Sequence, residues 1–185
     1  MNKIIKYHLA INMLLFSILC QAAPTNTELS VWANEAIVAT YTYDYKTFLP
    51  RQKEIAKYFT AKGWTDYSNA LNASQLPDAI KKNAYFVSAV AILPPEIKPF
   101  GSNAWVATMP LLVVYKNPQY QQKQTLGITL YFKEVSSGQG VRGLAIDSLQ
   151  TKKMSSPCQC KEDVTTNANL SSKDEIGLKA TTTQR

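Results

Sequence analysis

Hydrophobic residues follow a helical period near the start of the chain. They recur at every third or fourth position, and polar residues lie between them. The resulting stripe consists of Leu29, Trp32, Ala33, Ala36, Ile37, Thr40 and Tyr41. Such a stripe is typical of an amphipathic helix that buries one face. Thr27 is a suitable N-cap and Glu28 suits the helix dipole, so the pattern predicts a long first helix against a broad apolar surface.

Shorter helical segments follow the first helix. One is predicted to begin near Thr47 and Pro50 and to end at Gly63, since glycine commonly terminates helices. Trp64 then begins a second short piece, and Pro77 opens a further turn of helix.

The second half of the chain alternates between apolar and polar residues, which is the period of a β-strand. Four such segments occupy residues 85–93, 104–115, 124–135 and 141–149, and consecutive strands favour an antiparallel meander. Pro110 lacks a backbone N–H inside the second segment, which predicts an edge or a bulge there, and bulges bend sheets. Helices followed by strands predict an α+β fold. Its long N-terminal helix and short helices pack on a curved four-stranded antiparallel sheet.

Residues 1–22 have the order of a secretory signal peptide. Lysines precede an apolar run that is shorter than the roughly 20 residues a transmembrane helix needs. We predict cleavage after Ala22, because a cut after Ala23 would leave Pro24 directly beyond the scissile bond. The alternative is a retained inner-membrane anchor over residues 4–20.

Removal of the signal peptide changes the charge and the chemistry of the chain. The formal charge falls from +7 to +5 as two lysines leave, and the remaining lysines are scattered, which is not typical of a nucleic-acid-binding surface. The only histidine, His8, also leaves. Its loss excludes Ser/His and Cys/His nucleophile pairs and removes the commonest metal ligand. We therefore predict no catalytic residues, no metal, no cofactor and no nucleic-acid partner.

The composition shifts to Ser, Thr, Asn and Lys after Gln150. Such a segment buries too little apolar surface to offset the entropy of ordering, so residues 151–185 are predicted to be a disordered tail and residues 23–150 one folded domain. The tail contains the CxC pair Cys158 and Cys160. Paired thiolates bind soft metals or exchange disulfides. The alternative is a local disulfide, a link between chains or no special role.

Two other candidates for chemistry have simple structural explanations. The glycine-rich segment 138–143 lies between two predicted strands, so it predicts a hairpin turn and not a phosphate-binding loop. Asp44, Asp66 and Asp147 lie near apolar elements, where a buried carboxylate can act as a general acid or base. Helix capping and surface solvation also account for all three. The discriminating observation is whether Asp147 points into an enclosed pocket.

Four aromatic residues crowd the end of the first helix: Tyr41, Tyr43, Tyr45 and Phe48. Tyrosine is enriched at protein interfaces, so this aromatic cluster is a candidate partner-binding surface. The alternative is that these side chains cap the core where two helices meet. The sequence leaves both alternatives open.

A resemblance to a known family is carried by four segments: ANEAIVATYTYDY at 33–45, KYFTAKGW at 57–64, AWVATMPLLVVY at 104–115 and GVRGLAI at 140–146. In this order they resemble the DotI/IcmL family of type IVB (Dot/Icm-type) secretion systems and its conjugative-plasmid TraM relatives, over residues 32–149. The resemblance implies a periplasmic α+β domain of the cystatin-like or nuclear-transport-factor-like kind. In this cone-shaped fold the long helix packs against the concave face of the curved sheet. It also implies an assembly part without catalytic residues, which self-associates and contacts secretion-apparatus proteins of the inner membrane or periplasm.

The N-terminus departs from the family pattern. Members that build the inner-membrane complex carry a transmembrane helix before this domain, whereas a short signal-like segment stands there in this chain. We therefore expect a non-enzymatic periplasmic component or soluble accessory paralogue of a type IVB secretion apparatus, acting through protein contacts. One alternative is a periplasmic protein of the same fold that binds a small apolar ligand in the cone. A more distant alternative is an enzyme with a buried carboxylate.

Overall fold

The computed structural model describes residues 23–155, which contain four helices and six strands. The helices are α1 (Asn26–Thr40), α2 (Phe48–Ala56), α3 (Ala61–Ala73) and α4 (Leu76–Lys82). The strands are β1 (Tyr43–Asp44), β2 (Phe86–Ala91), β3 (Glu96–Gly101), β4 (Ala104–Lys116), β5 (Gln121–Glu134) and β6 (Leu144–Lys153). None of these helices has both the length and the hydrophobicity needed to span a bilayer. The predicted signal peptide with Ala22, and the pair Cys158 and Cys160, lie outside the described residues, of which Ala23 is the first.

Helix α1 begins at a capping box two residues before the predicted cap. The Thr25 hydroxyl accepts from the Glu28 N–H at 3.3 Å, and the Glu28 carboxylate accepts from the Thr25 N–H at 2.7 Å. A cap at Thr27 would have Ser30 at the reciprocal position, and serine carries no carboxylate. The predicted cap is therefore wrong, while the predicted apolar stripe is buried as far as Thr40.

All six strands belong to one antiparallel sheet, in which β4 is central. β5 pairs with one side of β4, while β2 and β3 share the other side, and β1 and β6 lie at the two ends. A register shift between Tyr131 and Phe132 marks a bulge in the β5–β6 pair, which bends the sheet. The α+β class and the curved antiparallel sheet are confirmed, with six strands where four were predicted.

The sequence pattern missed two strands: the two-residue β1, and β3, which lies where prolines and a glycine indicated a turn. Pro99 is tolerated there because β3 pairs only with β4, so that a residue without an N–H can face the free side. At the other end of the sheet, β6 continues to Lys153, three residues beyond the predicted domain boundary at Gln150.

Pro110 lies in the middle of β4 without breaking its ladder. Its carbonyl accepts from the Ile92 N–H at 2.9 Å, so its nitrogen faces the side on which β2 and β3 pair. β2 pairs with β4 as far as Leu111, and the pairing with β3 starts at Thr108. The missing donor therefore falls at the seam between two partner strands, and not at the predicted edge or bulge.

Gly63 lies in the first turn of α3, so the prediction that it ends the preceding helix is wrong. Its N–H donates to the hydroxyl of the N-cap Thr60 at 3.0 Å. A Cβ at this position would overlap the carbonyl oxygen of Ile146 and lie 3.0 Å from that of Asp147. The Thr60 N–H donates to the same Ile146 carbonyl at 2.9 Å. The glycine is thus needed for the contact between α3 and the edge of β6.

The hydrophobic core lies between α1 and the concave face of the sheet. Trp32 is 1% exposed and stacks on Phe132 of β5, with ring centroids 5.0 Å apart. The Trp32 Nε1–H donates to the carbonyl of Val141 at 2.8 Å. Leu111 and Leu130 complete the floor of the concave face and are fully buried. Side chains therefore fill the space that the helix and the curved sheet enclose.

Substitution of Gly63 by alanine tests the contact between α3 and β6. Helix propensity alone would make Gly63→Ala stabilising by roughly 1 kcal/mol. Because the added methyl meets backbone atoms that cannot rotate away, we expect a decrease of about 1–3 kcal/mol in the free energy of unfolding, measured by urea denaturation.

The matched control for this change is Gly101→Ala at the end of β3, where a Cβ meets no atom within 4 Å. We expect it to be neutral or slightly stabilising, because alanine lowers the entropy of the unfolded chain. A Gly63→Ala protein as stable as the wild type would contradict the close-approach explanation.

Candidate interaction site

The four residues of the aromatic cluster divide between the core and the surface. Tyr43 and Phe48 are 5% and 6% exposed, and their rings meet edge to face with centroids 5.5 Å apart. Tyr41 and Tyr45 are half-buried. Capping of the core, one of the two alternatives, therefore accounts for Tyr43 and Phe48. Partner binding stays a prediction for all four residues, of which Tyr41 and Tyr45 are the more accessible.

Tyr45 adjoins a row of exposed apolar side chains on β2. Phe86 and Val90 of β2 point to the outer face of the sheet, with the exposed Ser88 between them, and Ile92 and Leu93 follow directly after the strand. Between 41% and 60% of each side chain is exposed. The Tyr45 and Phe86 rings meet edge to face with centroids 5.5 Å apart. We call these five residues the outer strip.

The outer strip was missed by the sequence analysis because the β2 segment is apolar on both faces apart from Ser88. Val87 points into the core and is buried, while its neighbour Phe86 points outward. A hydrophobic pattern without polar residues at alternate positions does not identify the solvent side. The sequence did contain a signal for the strip. The segment has more apolar residues than are needed for the one row of side chains that faces the core.

A second concave feature, which we call the β6 groove, lies between α3 and β6. It encloses about 370 Å³ and is lined chiefly by Tyr41, Tyr43, Tyr67, Leu71, Leu149 and Thr151. The Tyr41 hydroxyl lies 2.7 Å from Thr151 Oγ1. Burial raises the pKa of the Tyr41, Tyr43 and Tyr67 hydroxyls above the ordinary value, so all three remain neutral. The groove is therefore an apolar surface with phenol groups that can donate hydrogen bonds.

Asp147 does not have the environment of a catalytic acid. Its carboxylate lies 2.8 Å from Lys133 Nζ and accepts from the Thr60 hydroxyl at 3.2 Å, and the side chain is 37% exposed. The hydrogen bond from Lys133 is the main cause that lowers the pKa of Asp147. A general acid at neutral pH needs the opposite shift. The Asp147 carboxylate thus forms a partly exposed ion pair and does not point into an enclosed pocket.

The other candidate carboxylates have structural roles. Asp44 accepts from the N–H groups of Lys46 and Thr47 at 2.7 and 2.8 Å, and thereby closes the turn before α2. Asp66 forms an exposed ion pair with Lys62 at 2.6 Å. Within residues 23–155 no group of three or more His, Cys, Asp or Glu side chains is arranged to hold a metal ion.

The glycine-rich segment is the connection between β5 and β6, as the hairpin interpretation predicted. Its Arg142 guanidinium lies 2.7 Å from the Glu35 carboxylate of α1, which also accepts from the Tyr58 hydroxyl at 2.8 Å. Together with the bond from Trp32 to Val141, these contacts hold the connection against α1. The segment therefore has a structural role in closing one end of the cone.

The chain is similar to proteins of type IV secretion systems. The sequence model of the DotI/IcmL family, an inner-membrane complex component of type IVb systems, matches residues 13–153. A search of curated proteins gives no match. An IcmL-like type IV secretion system protein of Legionella pneumophila is 57% identical in its crystal structure, over 75% of this chain and 100% of that one, with a TM-score of 0.72.

Two more distant structures share the fold. The periplasmic domain of DotI is 27% identical over 71% of this chain and 98% of that one, with a TM-score of 0.66. A periplasmic fragment of TraM is 16% identical over 71% of this chain and 100% of that one, with a TM-score of 0.58.

The contacts of Glu35 predict an acid-sensitive element of stability. Hydrogen bonds from Tyr58 and then Arg142 lower the pKa of Glu35 below its ordinary value of 4.5. Because the folded-state pKa is depressed, the contribution of this carboxylate is fully present above the unfolded-state pKa and is lost as the pH falls through the folded-state pKa. We expect Glu35→Gln to lower the free energy of unfolding at pH 7 and to flatten its decline below about pH 4.5.

Urea denaturation at a series of pH values measures this effect. The control is Glu134→Gln, which removes an exposed carboxylate without an ion pair among the described residues. We expect this control to leave the decline of the free energy of unfolding at acid pH unchanged. The same decline in the wild type and in Glu35→Gln would contradict the role assigned to Glu35.

Proposed function

Since the chain belongs to the DotI/IcmL family of type IVb secretion-system inner-membrane complex components, we propose that it is a non-enzymatic periplasmic component or accessory of such an apparatus, which acts by binding its other proteins. Family membership confirms the resemblance found in the sequence. The observation that carries the proposed binding role is the outer strip. A group of exposed apolar side chains close together on the surface is typical of a protein–protein contact.

The proposed periplasmic location has two supports. The related DotI domain, 27% identical, is a periplasmic domain. Residues 1–22 have the charge and hydrophobicity order of a signal peptide for export. A periplasmic accessory would meet the inner-membrane proteins of the apparatus from the outer side of that membrane.

The proposed absence of catalysis is supported by the state of the candidate carboxylates. Hydrogen bonds lower the pKa of Asp44 and of Asp147, and Asp66 forms an exposed ion pair with Lys62. An acid–base pair requires two groups whose environments push their pKa values apart around neutral pH. Asp44 and Asp147 do not have such environments.

The alternative of a small apolar ligand inside the cone has less support, because α1 occupies the concave face of the sheet. Trp32 and Phe132 stack in the space where a ligand would bind. The β6 groove lies outside this space, along the edge of the sheet. Protein binding at outer surfaces is therefore the function that the geometry supports best.

The outer strip can be tested by introducing charge into it. Val90 and Leu93 are 55% and 60% exposed, so the double substitution Val90→Asp, Leu93→Asp leaves the core unchanged. We expect the tagged wild-type chain to co-purify with other type IVb apparatus proteins from detergent-solubilised cells. The double variant should recover about tenfold less of them, because a bound partner would have to desolvate two carboxylates.

The control is Leu49→Asp on α2, which changes a 66% exposed leucine outside the outer strip. It should recover the apparatus proteins as the wild type does, and circular dichroism should show that all three proteins are folded. If the wild type recovers no apparatus protein, the proposed function is contradicted. If the double variant recovers them fully, the outer strip is not the contact.

A further inference from the structure

The second half of the β6 edge presents backbone groups without partners. The Met154 N–H donates to the Thr125 carbonyl at 2.9 Å, so these two residues form a hydrogen-bonded pair of the β5–β6 ladder. From this pair, non-hydrogen-bonded and hydrogen-bonded pairs alternate along β6. The N–H and C=O groups of Leu149 and Thr151 therefore point away from β5. Within residues 23–155 these groups have no hydrogen-bond partner. A strand edge of this kind is a template for another strand.

The first half of the same edge is covered by the chain itself. The Ile146 N–H donates to the Tyr58 carbonyl at 2.7 Å, and its carbonyl accepts from the Thr60 N–H at 2.9 Å. Gly63 brings α3 into contact with β6 at this point. Beyond Asp147 the helix and the strand enclose the β6 groove instead. The edge thus changes from closed to open within a few residues.

The surroundings of the open half of the edge favour particular side chains in a strand that pairs with it. The Leu149 and Thr151 side chains lie on the concave face, opposite Leu130 and Ile128 in the register. Residues of an added strand that pair with Leu149 and Thr151 would therefore also point into the β6 groove. The groove is lined by Tyr43 and by other aromatic and aliphatic side chains. Apolar residues are therefore favoured at these two alternate positions of the added strand.

The charges around the groove favour an acidic residue at one end of the added strand. Asp66 is paired with Lys62, whereas Lys152 and Lys153 have no acidic partner within the described residues. These two lysines follow Thr151, so the positive end of the edge is its C-terminal end. An antiparallel strand would place an acidic residue opposite Lys153, two positions before its first apolar residue.

We propose that the open half of the β6 edge binds an extended segment of a partner protein by β-strand addition. The segment has the pattern acid–x–apolar–x–apolar and continues the sheet antiparallel to β6. Main-chain hydrogen bonds to Leu149 and Thr151 hold it, and the β6 groove takes its alternate side chains. The inference rests on the proposed function only in that the partner is a protein.

The test uses the mature full chain and the acetylated, amidated peptide Thr-Glu-Thr-Val-Thr-Val-Thr as the probe. Hydrogen exchange of the Leu149 and Thr151 amides is followed by NMR. We expect fast exchange without the peptide, and exchange slowed by about tenfold or more at saturating peptide near 1 mM. The same peptide with N-methylated valines should have no effect, because it lacks the backbone donors that pair with β6.

Two variants at one position separate the backbone contact from the side-chain contact. Thr151→Pro removes a donor that points away from β5, so the β5 ladder keeps its hydrogen bonds, and we expect peptide binding to be lost. Thr151→Val removes the hydroxyl that contacts Tyr41 but keeps the N–H, and we expect peptide binding to remain.

Three results would overturn the inference. The first is no saturable binding by the wild type, and the second is equal binding by the N-methylated peptide, a comparison that does not depend on any variant being folded. The third is slow exchange of both amides without peptide, which would show that the edge is already covered. None of these results bears on co-purification through the outer strip, so the two proposals fail separately.

Discussion

The burial of the α1 stripe against the concave face of the sheet is the constraint on which the rest of the structure depends. Trp32 joins three elements, because its ring stacks on Phe132 of β5 and its Nε1–H binds the carbonyl of Val141 in the β5–β6 connection. Removal of a buried tryptophan of this kind typically costs about 3–5 kcal/mol. Because the helix fills the concave face, the outside of the sheet and its ends are left for binding.

The sequence predicted this constraint better than it predicted the surfaces. The α1 stripe has a clear period, so the helix, its buried face and the α+β class followed from it. Gly63 and Pro110 were misread because each serves a contact distant in the chain: a helix touching β6 in one case, and a seam between β2 and β3 in the other. Local patterns do not contain such contacts. The aromatic cluster was found, but its division into buried and half-buried residues depends on which strand Tyr43 joins.

The two proposed binding surfaces lie near opposite ends of the sheet. The outer strip lies on β2, next to the terminal strand β1, and the open edge belongs to β6 at the other end. They differ in chemistry, since the strip offers apolar side chains and the edge offers backbone donors and acceptors. A domain with this arrangement can contact two different neighbours at once. That property suits a non-catalytic component of a multi-protein apparatus.

The central claim is that the domain works by holding proteins of the secretion apparatus, and photocrosslinking in living cells tests it most directly. A photoreactive phenylalanine analogue replaces Val90 on the outer strip in one strain and Leu49 on α2 in another. The account predicts crosslinks from position 90 to identified periplasmic or inner-membrane proteins of the apparatus, and none of these from position 49. The absence of apparatus proteins from the products at position 90, or the same products from both positions, would contradict it.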